Sequence, residues 1–243
     1  MGLPKIDVLT HEVTIPSSNE IVKIRPFLVK EQKMLLSAMA GENTEDITNA
    51  TKQVITNCVL TENFNVDKLQ IFDLEYLILQ LRIISIGETA TIRFKPRQNT
   101  ECVECLKYKD VEINLKEAKI NLPENLNRRV ELTDTVGLIM NYPDAKFLSK
   151  IYEAKKGTDI EKIFKVIWLC VDSIYDETNI TSSKDVTLKE GMEFLESLSG
   201  TQFSKIETFL RNIPKLEQTI KVSCKTCTFQ EDFVISGLDS FFG

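Results

Sequence analysis

The period of apolar and polar positions changes several times along the chain. Near the N-terminus, Glu12-Val-Thr-Ile15 and Ile21-Val-Lys-Ile-Arg25 alternate around Pro16-Ser-Ser-Asn19, a turn composition, which predicts a β-hairpin. Pro26 stops the second strand. The period then lengthens. A helix is predicted from Val29 to Ala40, with Gly41 placed to end it, and another from Glu45 to Cys58, where Ile47, Ala50, Val54 and Cys58 share one stripe. Ile71 to Ile86 is apolar nearly all round, so a third helix is expected at the centre of the core, its start suited by Asp73 and Glu75 and its end marked by Gly87.

Strand alternation returns twice, each time around a pair of cysteines. Thr89–Lys95 and Asp110–Leu115 bracket Cys102-Val-Glu-Cys105; Thr219–Ser223 and Phe229–Ile235 bracket Cys224-Lys-Thr-Cys227. The residues after the second cysteines are Leu106 and Thr228, where a glycine would ease a tight turn. The stretch between the two patterns reads as helical throughout. It runs from Thr133–Met140, past a break at Tyr142-Pro143-Asp144, through Phe147, Leu148 and Ile151. A capping box at Thr158–Glu161 then opens the stripe Ile160, Ile163, Phe164, Ile167, Trp168, Val171 and Ile174, with Asp172, Asp176 and Glu177 at its solvated end. A second box, Thr187–Glu190, opens a helix that Gly200 would end. Phe203, Ile206, Leu210 and Ile213 mark a last helix stopped by Pro214.

The expected fold class is therefore α+β. A mainly helical body would carry an N-terminal β-hairpin and two CxxC-bearing β-hairpins. The expected organisation is 1–87 as hairpin and helical part, 88–122 with 215–243 as one split module, and 123–214 as a helical insertion.

The paired cysteines carry the clearest chemistry. Cys105 and Cys224 are separated by 118 residues, whereas the halves of one continuous zinc finger sit roughly 15–20 residues apart. Zn²⁺ takes four ligands in a tetrahedron, and two CxxC turns on neighbouring hairpins would close a Cys₄ site with no open position. Cys102, Cys105, Cys224 and Cys227 are thus the candidate ligands of a structural zinc, in a zinc ribbon split by an insertion. Reduced unmetallated thiols, two local disulfides and a thioredoxin-like redox pair stay open at this point; the redox pair expects a helix starting at the motif. Cys58 and Cys170 fall in helical patterns and read as small core hydrophobes.

Charge and composition narrow the partners. The 243 residues carry a formal net charge of −6, which disfavours a generic nucleic-acid binder. Arg93, Lys95 and Arg97 beside the first cysteine pair, and Arg128-Arg129, are the local basic patches. Met1-Gly-Leu-Pro-Lys5 begins no secretory core and no apolar run is long enough to span a membrane, so a compartment with reduced thiols is expected. Catalytic motifs are missing. The single histidine, His11, has no evident nucleophile partner, and no phosphate loop, dinucleotide loop or nucleophile elbow occurs. No catalytic residue and no enzymatic activity is expected. Phe241 and Phe242 close the chain and would either fold back onto the core or insert into a partner.

One succession of residues carries a resemblance. Arg25-Pro26-Phe27 with Lys30-Glu31 is followed by Asp73-Leu-Glu75-Tyr76-Leu77, then Leu81-Arg82 with Ser85 and Gly87. The paired CxxC, Phe194-Leu195 ahead of Phe203, and Gly237-Leu-Asp-Ser-Phe-Phe242 complete the order. It resembles the baseplate hub proteins of T-even-like contractile-tailed bacteriophages across most of the chain. The resemblance implies a non-enzymatic hub component or hub assembly factor that binds other hub and tail proteins. Its place would be the host cytoplasm during assembly and then the tail baseplate. The runner-up from the residues is a zinc-ribbon adaptor contacting nucleic acid or a polymerase.

Overall fold

In the computed structural model, residues 8–41, 43–94, 102–105, 107–122, 127–147, 159–224 and 226–236 are described. The predicted capping box at Thr158, the continuation through Leu148 and Ile151, the basic residues Lys95 and Arg97, and the terminal Phe241 and Phe242 lie outside them. The fold is mixed: helices with several small antiparallel sheets. The chain divides into two compact units, one of Met1–Val66, Phe72–Asn121 and Lys215–Gly243, the other of Asp67–Ile71 and Leu122–Pro214.

The first unit opens with the hairpin β1 (His11–Thr14) and β2 (Ile21–Ile24), paired in register from His11–Ile24 to Thr14–Ile21. Asn19 takes the left-handed backbone conformation in the turn (φ 56°), which asparagine tolerates. Helices α1 (Val29–Ala40) and α2 (Thr44–Cys58) follow and pack together. The Asn43 side chain caps α2 by accepting from the Glu45 N–H. Cys58, with Val54 and Ile55, is fully buried on α2. Helix α3 (Ile71–Ser85) buries Phe72, Leu74, Leu77, Ile78, Leu79, Leu81 and Ile83, positions that lie all round its axis. Removing each such side chain from water contributes about 2 kcal/mol, so α3 organises this unit. It ends at Gly87, whose φ of 138° a residue with a Cβ rarely adopts.

Two more hairpins complete this unit. Strands β3 (Thr89–Phe94) and β4 (Lys109–Asn114) pair alone. The short β5 (Lys119–Ile120) pairs with the start of β10 (Leu216–Ser223), and β10 pairs along its length with β11 (Gln230–Ser236). The two hairpins belong to different sheets yet share one core: Leu79 and Ile83 of α3, Ile113 and Leu115, and Leu216, Ile220, Val222 and Ile235.

The second unit corrects the helical reading of its stretch. It holds a four-stranded antiparallel sheet in the order β6 (Arg129–Glu131), β7 (Gly137–Met140), β8 (Val171–Tyr175), β9 (Ile180–Ser182). Thr133–Met140 is therefore not a helix. Thr133 Oγ1 accepts the N–H groups of Thr135 and Val136, which makes a turn and hands the chain to β7. Val171 and Ile174 are strand residues, not the end of the Trp168 helix, which stops at Leu169. β-branched side chains fit the pleat better than a helical turn, and pairing with β7 decides the matter. Asp172 lies on β8, and Asp176 is a turn residue whose carboxylate accepts the Thr178 and Asn179 N–H groups.

Helices α4 (Asp159–Leu169), α5 (Leu188–Glu196) and α6 (Gly200–Arg211) belong to the same unit. The Thr187–Glu190 capping box forms. Gly200 does not end α5. It is the first residue of α6, whose N-terminus is capped by a reciprocal pair, Ser199 and Gln202. Trp168, Ile167, Leu195 and Ile206 join Leu138, Met140 and Val171 in the core of this unit.

Candidate metal centre

Each CxxC lies in the connection of a hairpin, the first between β3 and β4, the second between β10 and β11. Backbone hydrogen bonds shape both. The Cys105 N–H donates to the Cys102 carbonyl (2.9 Å), closing a tight turn that places both thiols on one side. The Cys224 N–H donates to the Phe229 carbonyl (2.9 Å), closing the second hairpin at the cysteine itself. Thr228, which follows the second pair, does not take a left-handed backbone, so no glycine is needed there; Leu106 lies outside the described residues.

The four thiols converge. Their sulfurs all lie within 4.8 Å of one another. Across the hairpins, Cys102 Sγ is 3.9 Å from Cys224 Sγ, and Cys105 Sγ is 3.6 Å from Cys227 Sγ. A tetrahedral zinc with bonds of about 2.3 Å would set sulfur–sulfur edges of about 3.8 Å. None of the six cysteines is disulfide-bonded, so the two local disulfides are not formed. Strands flank both motifs where a thioredoxin-like pair expects a helix.

Electrostatics explain why such a cluster invites a cation. Burial, with the thiols of Cys224, Cys227 and Cys102 as neighbours, pushes the Cys105 thiol up to about 12. The N–H groups of Thr226 and Cys227 aim at Cys224 and pull it down to about 6. The cluster thus holds one sulfur prepared to be a thiolate and one that ionises only if positive charge arrives. The donor set, its count and its spacing fit a four-coordinate thiophilic metal.

What holds the hairpins in place was only partly legible. Gln218 sits in phase with Leu216, Ile220 and Val222 on the buried face of β10, and its Nε2 donates to the Asn114 carbonyl at the end of β4 (3.0 Å). A polar residue on an otherwise apolar alternating face was the available signal. Glu75 of α3 accepts the Leu216 N–H (3.3 Å) at the start of β10.

The remaining candidates separate from the site. His11 is exposed on β1. Arg93 is engaged by Asp110 (2.8 Å), Arg128 donates to Asn141 (2.8 Å), and the Arg129 guanidinium lies 4.7 Å from the centre of the Tyr175 ring. These pairings absorb the described basic patches. The other residues of the recurring succession are internal ties. Arg25 donates to Glu31 (3.0 Å); Asp73 accepts the Ser17 N–H (3.0 Å) and hydroxyl (2.6 Å); Ser85 accepts the Phe27 N–H (2.9 Å); Arg82 donates to the carbonyls of Gly87 and Thr89.

A family model described as T4 bacteriophage base plate protein matches residues 8–243. No curated protein and no solved structure matches the chain. The match spans nearly the whole sequence, and the chain belongs to this family of T4-like phage baseplate proteins.

Proposed function

We propose that this baseplate-family member is a non-enzymatic hub component or hub assembly factor of the phage tail, acting by binding other hub and tail proteins. A structural Zn²⁺ on Cys102, Cys105, Cys224 and Cys227 would make its two hairpins a split zinc ribbon. The observation that carries the metal is the convergence of four cysteine sulfurs, from two pairs separated by 118 residues, at zinc-like spacing. The family match supports the structural role, and the ordered succession from Arg25 to Phe242 supports the hub. Closed Cys₄ coordination leaves no place for substrate, so the ion stabilises rather than reacts. Structural zinc contributes roughly 10–16 kcal/mol of apparent binding energy in small fingers. The segmentation into 1–87, 88–122 with 215–243, and 123–214 follows from this reading, with the ribbon clamping the ends of the inserted stretch. Assembly in the host cytoplasm, then residence in the tail, is the matching location.

Two measurements test the proposal together. Elemental analysis of protein purified without added metal should find zinc in a one-to-one ratio. Affinity purification from infected cells should recover hub and tail polypeptides. A metal-free, folded protein sinks the zinc; recovery of nucleic acid or polymerase in place of tail proteins sinks the hub.

A further inference from the structure

Helix α1 presents a face that the described residues leave exposed. Val29, Lys33, Leu36 and Ala40 recur at spacings of four, three and four, which sets them in one stripe along the helix. Val29 is 80% exposed and Leu36 58%. A shallow, open depression of about 540 Å³ follows this stripe, lined among the described residues by α1 alone: Val29, Gln32, Lys33, Leu36, Ser37 and Ala40. The opposite face, with Glu31 and Leu35, is buried. Exposed apolar residues scattered singly are ordinary, but a contiguous stripe on one rigid helix is the form of an interaction site.

Charge narrows the occupant. Glu31 is the only acidic residue of α1, and it is fully buried in its pair with Arg25. The exposed side of α1 therefore carries lysines and no carboxylate: Lys33 within the stripe and Lys30 on its flank, 70% exposed and 3.4 Å from Glu31. The chain as a whole is acidic, so this face stands out in sign. Helix N-terminal geometry also fixes it: the Leu28 N–H donates to the Glu31 carboxylate (2.8 Å), which holds the first turn in place before any partner arrives.

We propose that this face docks an acidic amphipathic helix of another baseplate polypeptide. A partner helix with apolar residues three and four apart can pack its ridge against the side-chain rows of α1 at Val29 and Leu36, and a glutamate or aspartate on that helix faces Lys33. A membrane surface is the poorer match. An interfacial helix carries a broad apolar face with aromatic anchors and a lysine-rich polar face, and α1 has no aromatic residue and two lysines. The inference goes beyond the hub reading, which names no surface.

The test uses the full chain expressed during infection, with a photo-crosslinking amino acid replacing Leu36 and, separately, Val29. Cross-linked products are mapped by mass spectrometry. The expected product joins position 36 to an apolar-acidic helical segment of another tail polypeptide. Lys33→Glu should lower its yield from position 29 by about tenfold, through like-charge repulsion, while Lys33→Arg keeps it. The proposal is overturned by cross-links to lipid, to a second copy of this chain or to a non-helical segment, by an unchanged yield in Lys33→Glu, or by no product. Co-purification of the unsubstituted chain with tail proteins is read separately, so loss of this surface and loss of the hub role remain distinct results.

Discussion

The Glu31 carboxylate, fully buried, lies 3.0 Å from the Arg25 guanidinium, whose side chain retains 15% exposure. Arg25 also donates to the carbonyls of Pro26 and Asn57, and its own N–H reaches the Cys58 carbonyl. The pair thus joins the end of β2 to the start of α1 and the end of α2. Burial by itself pushes Glu31 upward, but Arg25, the Leu28 N–H and the charge of Lys30 outweigh it and hold the carboxyl below its usual 4.5. A carboxyl depressed in the folded state adds stability above its unfolded value, and that stability is lost as pH falls through the folded value. Stability measured by urea denaturation should therefore fall on acidification below about pH 4.5. Glu31→Gln should cost about 3 kcal/mol at pH 7, because Arg25 is left without its counter-charge, and should flatten the acid limb. An unchanged acid limb in the variant would assign the loss to other carboxylates.

If the four sulfurs hold the proposed zinc, removing it should act on the hairpins first. Cys227→Ser would leave the proposed site three sulfur ligands and open its tetrahedron. Hydrogen exchange should accelerate in β3–β4 and β10–β11, whose shared core is small. A strong chelator should reproduce the pattern in the unsubstituted protein. Equal protection with and without metal would show that the core and the Gln218–Asn114 strut suffice.

Gly191 lies against the face of Trp168. A Cβ added there would fall far inside contact distance of the indole Cε2. Gly191→Ala must move either α5 or the indole, at a cost of about 1–3 kcal/mol. Trp168 is the only tryptophan, so its emission should shift to the red in the variant and its thermal midpoint should fall. A native spectrum with native stability would mean that α5 slides freely over Trp168.

Two further cysteines supply a control for the cluster. Burial raises the Cys58 thiol to about 11 and the Cys170 thiol to about 12. Both are therefore un-ionised at pH 7 and shielded, since the reactive species is the thiolate. Neither should label with iodoacetamide until denaturant unfolds the unit that holds it. Mass spectrometry after a brief exposure at neutral pH checks this; rapid modification of either would show that its core opens readily.

The boundaries of α1, α3 and the cysteine hairpins were readable because local rules agreed with tertiary demands. Gly87 ends α3 where a positive φ is required, and alternation in β10 matches burial on alternate residues. The second unit misled for a physical reason. Val171, Asp172 and Ile174 continue the helical spacing of Ile163 and Ile167, and only pairing of β8 with β7 and β9 turns them into a strand. Gly200 was misjudged because glycine serves at either end of a helix. The Ser199–Gln202 box, visible in the sequence, decides which end it is.

By itself, the sequence determined that two CxxC turns sit in strand-flanked hairpins, that α3 is a core helix, and which family the chain belongs to. These follow from spacing, alternation and residue order, all local or linear properties. The tertiary structure alone decided that the four sulfurs meet within 4.8 Å and that Glu31 is spent on Arg25. It also decided that the apolar side of α1 at Val29 and Leu36 faces outward. Contacts between residues remote in the chain depend on how elements close over one another, and no periodicity encodes that distance.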